Sequence, residues 1–129
     1  MSIKKPLPCA CGSGQPGPIC CERIINNKLK VGSALALMRS RYVAYAQKNV
    51  HYILDTWHPE TRPEELQLED EVLWLNLKVL AHKSEKNQAH VEFKAVGRRS
   101  GRAFTHHELS IFRKLDDRWF FYDGEVKRN

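Results

Sequence analysis

The chain has 129 residues and a net charge of +6, a size that makes one domain able to bury roughly two thirds of its unfolded surface. No segment approaches the about 18 apolar residues a membrane span needs, and no apolar stretch follows Lys4 and Lys5 as a signal peptide would require. A cytoplasmic protein is therefore expected, and its basic residues form no run, which gives a nucleic-acid or ribosomal partner only weak support.

All four cysteines fall in the first stretch, Cys9-Ala10-Cys11-Gly12-Ser13-Gly14-Gln15-Pro16-Gly17-Pro18-Ile19-Cys20-Cys21. Cytosolic thiols stay reduced, so such a cluster reads as metal ligands rather than disulfides. Zinc takes four thiolates in a tetrahedron at about 2.3 Å each, and Cys9, Cys11, Cys20 and Cys21 supply four. Adjacent residues of a strand point oppositely, so Cys20 and Cys21 converge only in a tight turn or the first turn of a helix. Gly12, Gly14 and Gly17 permit positive φ in the loop, while Pro16 and Pro18 stiffen it. Backbone amides near Gly12 and Ser13 are placed to donate to the sulfurs. Iron can replace zinc in a four-thiolate site. A redox pair lacks the usual two-residue spacer, and a vicinal disulfide at Cys20-Cys21 would be strained.

Residues 22–32 read as a connector with one helical turn after Cys21. Ser33 is a helix N-cap, and Leu35, Met38, Tyr42 and Tyr45 form one face of an amphipathic helix that ends near Asn49. Arg39, Arg41 and Lys48 are expected on or beside its wet side. Val50, Ile53, Leu54 and Trp57 suggest a second, shorter helix that stops before Pro59. Thr61 to Glu65 is a turn or a short helical start.

From Glu71 the apolar period becomes two. Leu73, Leu75, Leu77 and Val79 alternate with Trp74, Asn76 and Lys78, and Ala89, Val91, Phe93 and Ala95 with His90, Glu92 and Lys94. Phe104, His106, Glu108, Ser110 and Phe112 share one face of the next strand. Turns at 84–87, Ser100-Gly101 and Asp116-Asp117 separate four strands, the last closed by Asp123-Gly124. Helices gathered before an antiparallel meander give an α+β fold in which a curved sheet wraps the helices.

Two resemblances attach to these residues. Cys-x-Cys-Gly-Ser-Gly, with eight residues between the second cysteine and a Cys-Cys pair, resembles the SEC-C motif, a zinc knuckle found at the end of the SecA translocation ATPase and in unrelated bacterial proteins. The motif's ligands fall on Cys9, Cys11, Cys20 and Cys21, and its serine on Ser13. Where the SEC-C loop usually carries lysines and a tyrosine, Gln15-Pro16-Gly17-Pro18-Ile19 stands here. Met38 to Tyr45, Tyr52 to Pro63 with its Thr-Trp-His-Pro element, Val91-Glu92-Phe93 and Phe120 to Glu125 resemble the YchJ family of uncharacterised bacterial proteins. That family pairs SEC-C knuckles, often a second one after the last strand, with a nuclear transport factor 2-like domain. The resemblance implies a knuckle over residues 1–24 and a cone-shaped domain over 25–129.

The resemblance also sets two functional expectations. The leading one is an interaction module: a metal-stiffened knuckle that docks a protein partner of export, chaperone or ribosomal machinery. The alternative is a small-molecule binder or proton-transfer enzyme, because cones of this fold often form a pocket at the mouth. His106 and Glu108, with Ser110 between Phe104 and Phe112, are the pocket candidates, and Trp57, His58 and Arg62 are expected to line the same mouth. Solvent-facing roles for these side chains are the plainer alternative, and no residue is singled out as catalytic.

Overall fold

The computed structural model describes residues 7–17, 20–27 and 30–127. Pro18, expected to stiffen the cysteine loop, and Lys28-Leu29 of the connector lie outside them, as do the terminal residues 1–6 and 128–129. Three helices precede four strands: α1 (Cys21–Asn27), α2 (Ala34–Ala46), α3 (Val50–Asp55), β1 (Val72–Ser84), β2 (Gln88–Arg99), β3 (Arg102–Leu115) and β4 (Arg118–Val126). The strands form one sheet in the order β1-β2-β3-β4, every pair antiparallel. The expected α+β arrangement is the observed one. No described helix is long and apolar enough to cross a membrane.

Ser33 caps α2 as expected: its hydroxyl accepts from the Ala36 amide, which would otherwise lack a partner at the helix start. Asn49 does the same for α3 through Tyr52. Helix α1 is longer than the expected single turn, with Ile25 buried, and it runs through the expected boundary at residue 24/25. Helix α2 is buried on most of its circumference, from Ala34 and Leu37 to Val43 and Ala44. Hence the three cations expected on its wet side are all held. Arg39 donates to the Cys11 carbonyl, Lys48 to the carbonyls of Glu69 and Val72, and Arg41 is buried among partners described below.

The alternation expected along β1 is broken. Leu73 and Leu75 are 62% and 54% exposed, whereas Val72 and Leu77 are buried and Trp74 and Val79 half-buried. Register shifts between Trp74 and Asn76, and again between Val79 and Ala81, insert extra residues. Each bulge reverses which face a side chain meets and bends the strand, so the inward set is 72 and 74, then 77 and 79. Strand β2 carries no such shift against β3, and its inward residues Ala89, Val91 and Ala95 are those the period-two pattern selects.

Strand β4 does not end at Asp123-Gly124 but continues to Val126. Gly124 lies opposite Ser110, and a Cβ added there would come 2.8 Å from the Glu108 carboxyl group. The glycine serves close approach inside the strand rather than a turn.

Candidate metal centre and cavity

Residues 7–17 form a small hairpin closed by Gly17 N donating to Leu7 O and Cys9 N donating to Gln15 O. Gly12 and Gly14 sit at φ of 81° and 87°, a region glycine enters without steric cost, and together they turn the loop. Cys20 follows Gly17 in a turn, and Cys21 opens α1, which is the local geometry two adjacent inward cysteines require. The four Sγ atoms lie within 4.8 Å of one another, with Cys11–Cys20 at 3.6 Å and Cys20–Cys21 at 3.9 Å. A tetrahedron with metal–sulfur bonds of about 2.3 Å has edges of about 3.8 Å, so the donor set fits one ion.

The surroundings suit thiolates. The amides of Cys11 and Cys21 point at the Cys9 sulfur, and the Ser13 amide at that of Cys11. The Ser13 hydroxyl lies 3.2 Å from the Cys20 sulfur. A hydrogen bond from Cys21 holds the Cys11 thiol down at about 4, and the same bond, with burial, pushes Cys21 far up. Four sulfurs this close cannot share negative charge unaided, and a bound cation removes that conflict. The cluster also belongs to the core. Cys9, Cys11 and Cys21 are buried in continuity with Ile25, Ala34 and Leu37.

The second feature is a cavity of ≈ 230 Å³ between α2 and the concave face of the sheet. Met38, Arg41, Tyr42 and Tyr45 line it from α2, spaced so that they share one helix face. The sheet contributes Trp74, Phe93, Ala95, His106, Glu108, Ser110, Phe112 and Phe121. His106 Nε2 is 2.9 Å from one Glu108 oxygen, and the Ser110 hydroxyl donates to the other. The carboxylate is thus fixed at both oxygens, with its side chain 17% exposed. The His106 ring rests against Trp74 and Phe93. Burial pushes the Tyr42 and Tyr45 hydroxyls up, so both stay protonated donors at neutral pH.

Arg41 completes the cavity wall and is the group the sequence reading misplaced. Its Nη1 donates to the Ile53 carbonyl and the Thr56 hydroxyl, both at 2.7 Å, and its guanidinium carbon lies 4.5 Å from the Phe121 ring centre. The signal was present: Arg41 falls between Met38 and Tyr45 at three- and four-residue spacings, on the face already read as apolar.

Of the five expected pocket residues, His106 and Glu108 line this cavity. Trp57, His58 and Arg62 instead build a clasp between α3 and β4. Trp57 bridges to Phe121, His58 N donates to Phe121 O, and Arg62 donates twice to Trp57 O. The Trp57 ring stands edge-on to Phe121 at 4.9 Å, and the His58 ring packs on Tyr122. The Thr-Trp-His-Pro element is a joint that seats the cavity's aromatic wall.

A family model described as the YchJ middle NTF2-like domain matches residues 33–124. The chain belongs to the YchJ family. Its relatives include the UPF0225 protein of Bordetella parapertussis, 41% identical over 126 residues that cover 95% of each chain. The UPF0225 protein of Streptomyces coelicolor is 37% identical, covering 92% of this chain and 94% of its own. Among solved structures, a SEC-C motif containing protein from Rhodopseudomonas palustris superposes with a TM-score of 0.84 at 37% identity, covering 95% of this chain and all of its own. A second SEC-C motif containing protein, from Psychrobacter arcticus, gives 0.78 at 27% identity, covering 97% of this chain and 84% of its own. The YchJ family assignment makes the cone a nuclear transport factor 2-like domain, as the sequence resemblance implied, and both solved neighbours are described as SEC-C motif containing proteins.

Proposed function

We propose that the protein binds a small molecule in the cone cavity, and that the cysteine cluster is a structural zinc site that pins the N-terminal hairpin to the cone. One observation carries the reading: a carboxylate held at both oxygens by a histidine and a serine faces an aromatic-walled cavity. Convergent polar groups in an aromatic-walled hollow are the usual mark of a ligand site. The same pair is arranged for proton transfer, with Glu108 as acceptor and His106 as relay, if the ligand offers an exchangeable proton. Cys9, Cys11, Cys20 and Cys21 would hold the ion, with iron the alternative to zinc. When bound, it supplies folding energy to a hairpin with little core of its own.

The test is a metabolite thermal-shift screen on metal-loaded protein, repeated with Glu108→Gln. A ligand that raises the melting temperature of the wild type and loses at least half of that shift in the variant, at unchanged metal content, supports the reading. A ligand whose shift survives Glu108→Gln contradicts it.

A second reading rests on Leu7, which is 84% exposed at the open end of the knuckle hairpin, where its carbonyl accepts from Gly17 N. A bare apolar side chain on a metal-pinned hairpin suits a protein partner, and the SEC-C resemblance points to export, chaperone or ribosomal machinery in the cytoplasm. Leu7→Asp is then expected to abolish co-purification of that partner while one metal ion per chain is retained. Unchanged co-purification would remove Leu7 from the contact.

A further inference from the structure

Arg41 is 5% exposed, and the groups in contact with it are neutral. Two N–H groups reach Ile53 O and Thr56 Oγ1, and the rings of Phe121 and Trp57 cover the guanidinium at 4.5 and 5.3 Å. Among the described residues, no carboxylate oxygen lies within the 4.0 Å of an ion pair with it. The cavity's own carboxylate, Glu108, is occupied by His106 and Ser110 instead. A buried cation with no counter-ion in contact is costly: burial pulls the Arg41 pKa down to about 10, and the nearby charge of Glu108 offsets this only in part. A guanidinium has five N–H donors, so donors remain beyond the two already engaged, and the Tyr45 hydroxyl stands next to them. Both residues line the cavity.

Resting on the cavity reading above, we infer that the ligand is a small aromatic monocarboxylate, its carboxylate on Arg41 and Tyr45 and its ring between the aromatic walls. Size agrees. A hollow of roughly 150 Å³ admits benzene, and this one, at ≈ 230 Å³, has room for one ring, a carboxylate and a small substituent. Charge agrees as well. A single negative charge placed against Arg41 makes the contact that Glu108, held by His106 and Ser110, does not make, whereas a second, on the Glu108 side, would meet a like charge. A hydroxyl or amino substituent there finds acceptors in the His106–Glu108 pair. Rings of Tyr42, Trp74 and Phe93 favour a planar body over an aliphatic one.

The experiment is titration calorimetry on the full-length, metal-loaded protein with four probes of one shape: benzoate, 4-hydroxybenzoate, benzamide and terephthalate. 4-Hydroxybenzoate is expected to bind best, benzoate about tenfold or more tighter than the neutral benzamide, and terephthalate worst. The Nε–H signal of Arg41 in a proton–nitrogen spectrum is expected to move on adding benzoate, a readout that needs no variant. Arg41→Gln should erase the preference for benzoate over benzamide. Equal binding of benzoate and benzamide, or benzoate binding that leaves the Arg41 signal still, overturns the ligand class and leaves the cavity reading standing. Binding by none of the four overturns the class too. The cavity reading falls separately, if the metabolite screen finds only ligands whose shift survives Glu108→Gln.

Discussion

Glu108 and Gly124 show how single residues set this site. Glu108 keeps its orientation because Ser110 and His106 grip it from its own strand and because Gly124 on β4 leaves it room. Gly124→Ala would push a methyl group to 2.8 Å from the carboxyl, and the flexible end of Glu108 is what must give. The expected result is a stability loss of only about 1 kcal/mol by urea unfolding, for the bonds Glu108 releases, with ligand-induced stabilisation reduced as in Glu108→Gln. At this scale the sequence was half legible. The alternation of β3 put His106, Glu108 and Ser110 on one face, and so it is. Arg41 has the spacing of the apolar helix face, but its charge argues for solvent, and only the carbonyl of Ile53, the hydroxyl of Thr56 and the Phe121 ring make its burial tolerable. Gly124 read as a turn because nothing in the chain says that the Glu108 carboxyl group packs against it.

Among the elements, β1 separates pattern from geometry. Its four alternating apolar residues read as one face, yet two face solvent and Leu77 faces the core, since a bulge at Leu75 shifts the phase. Bulges leave no mark in a period-two pattern. Leu77→Ala is expected to cost about 2–5 kcal/mol, the range for a buried leucine, while Leu73→Ser and Leu75→Ser each stay within about 0.5 kcal/mol. Chemical denaturation of the three variants measures the contrast, and equal losses would mean that the register is wrong. Helix starts and hairpin turns were legible because their signals are local. Ser33 needs only its own hydroxyl near Ala36, and the turns at Ser100-Gly101 and Asp116-Asp117 use the positive φ that Gly, Asp and Ser tolerate.

For the whole molecule, the knuckle and the cone share a core. Cys11 is fully buried and Cys21 nearly so, Arg39 of α2 holds the Cys11 carbonyl, and a Cβ on Gly12 would lie 3.3 Å from the Leu77 carbonyl of β1. Helix α2 thus carries the knuckle on one side and the cavity wall on the other. The four cysteines read as a candidate metal site from their spacing, but that the cluster is packed into the domain depends on long-range contacts, which spacing does not encode. Metal removal should therefore loosen α2 and weaken the cavity as well as the hairpin. Scanning calorimetry of reduced protein, with metal content measured before and after chelation, tests this most directly. One metal ion per chain and a single transition that falls by about 10 °C or more on stripping is the expected result. A main transition that stays in place after the metal is gone would contradict it.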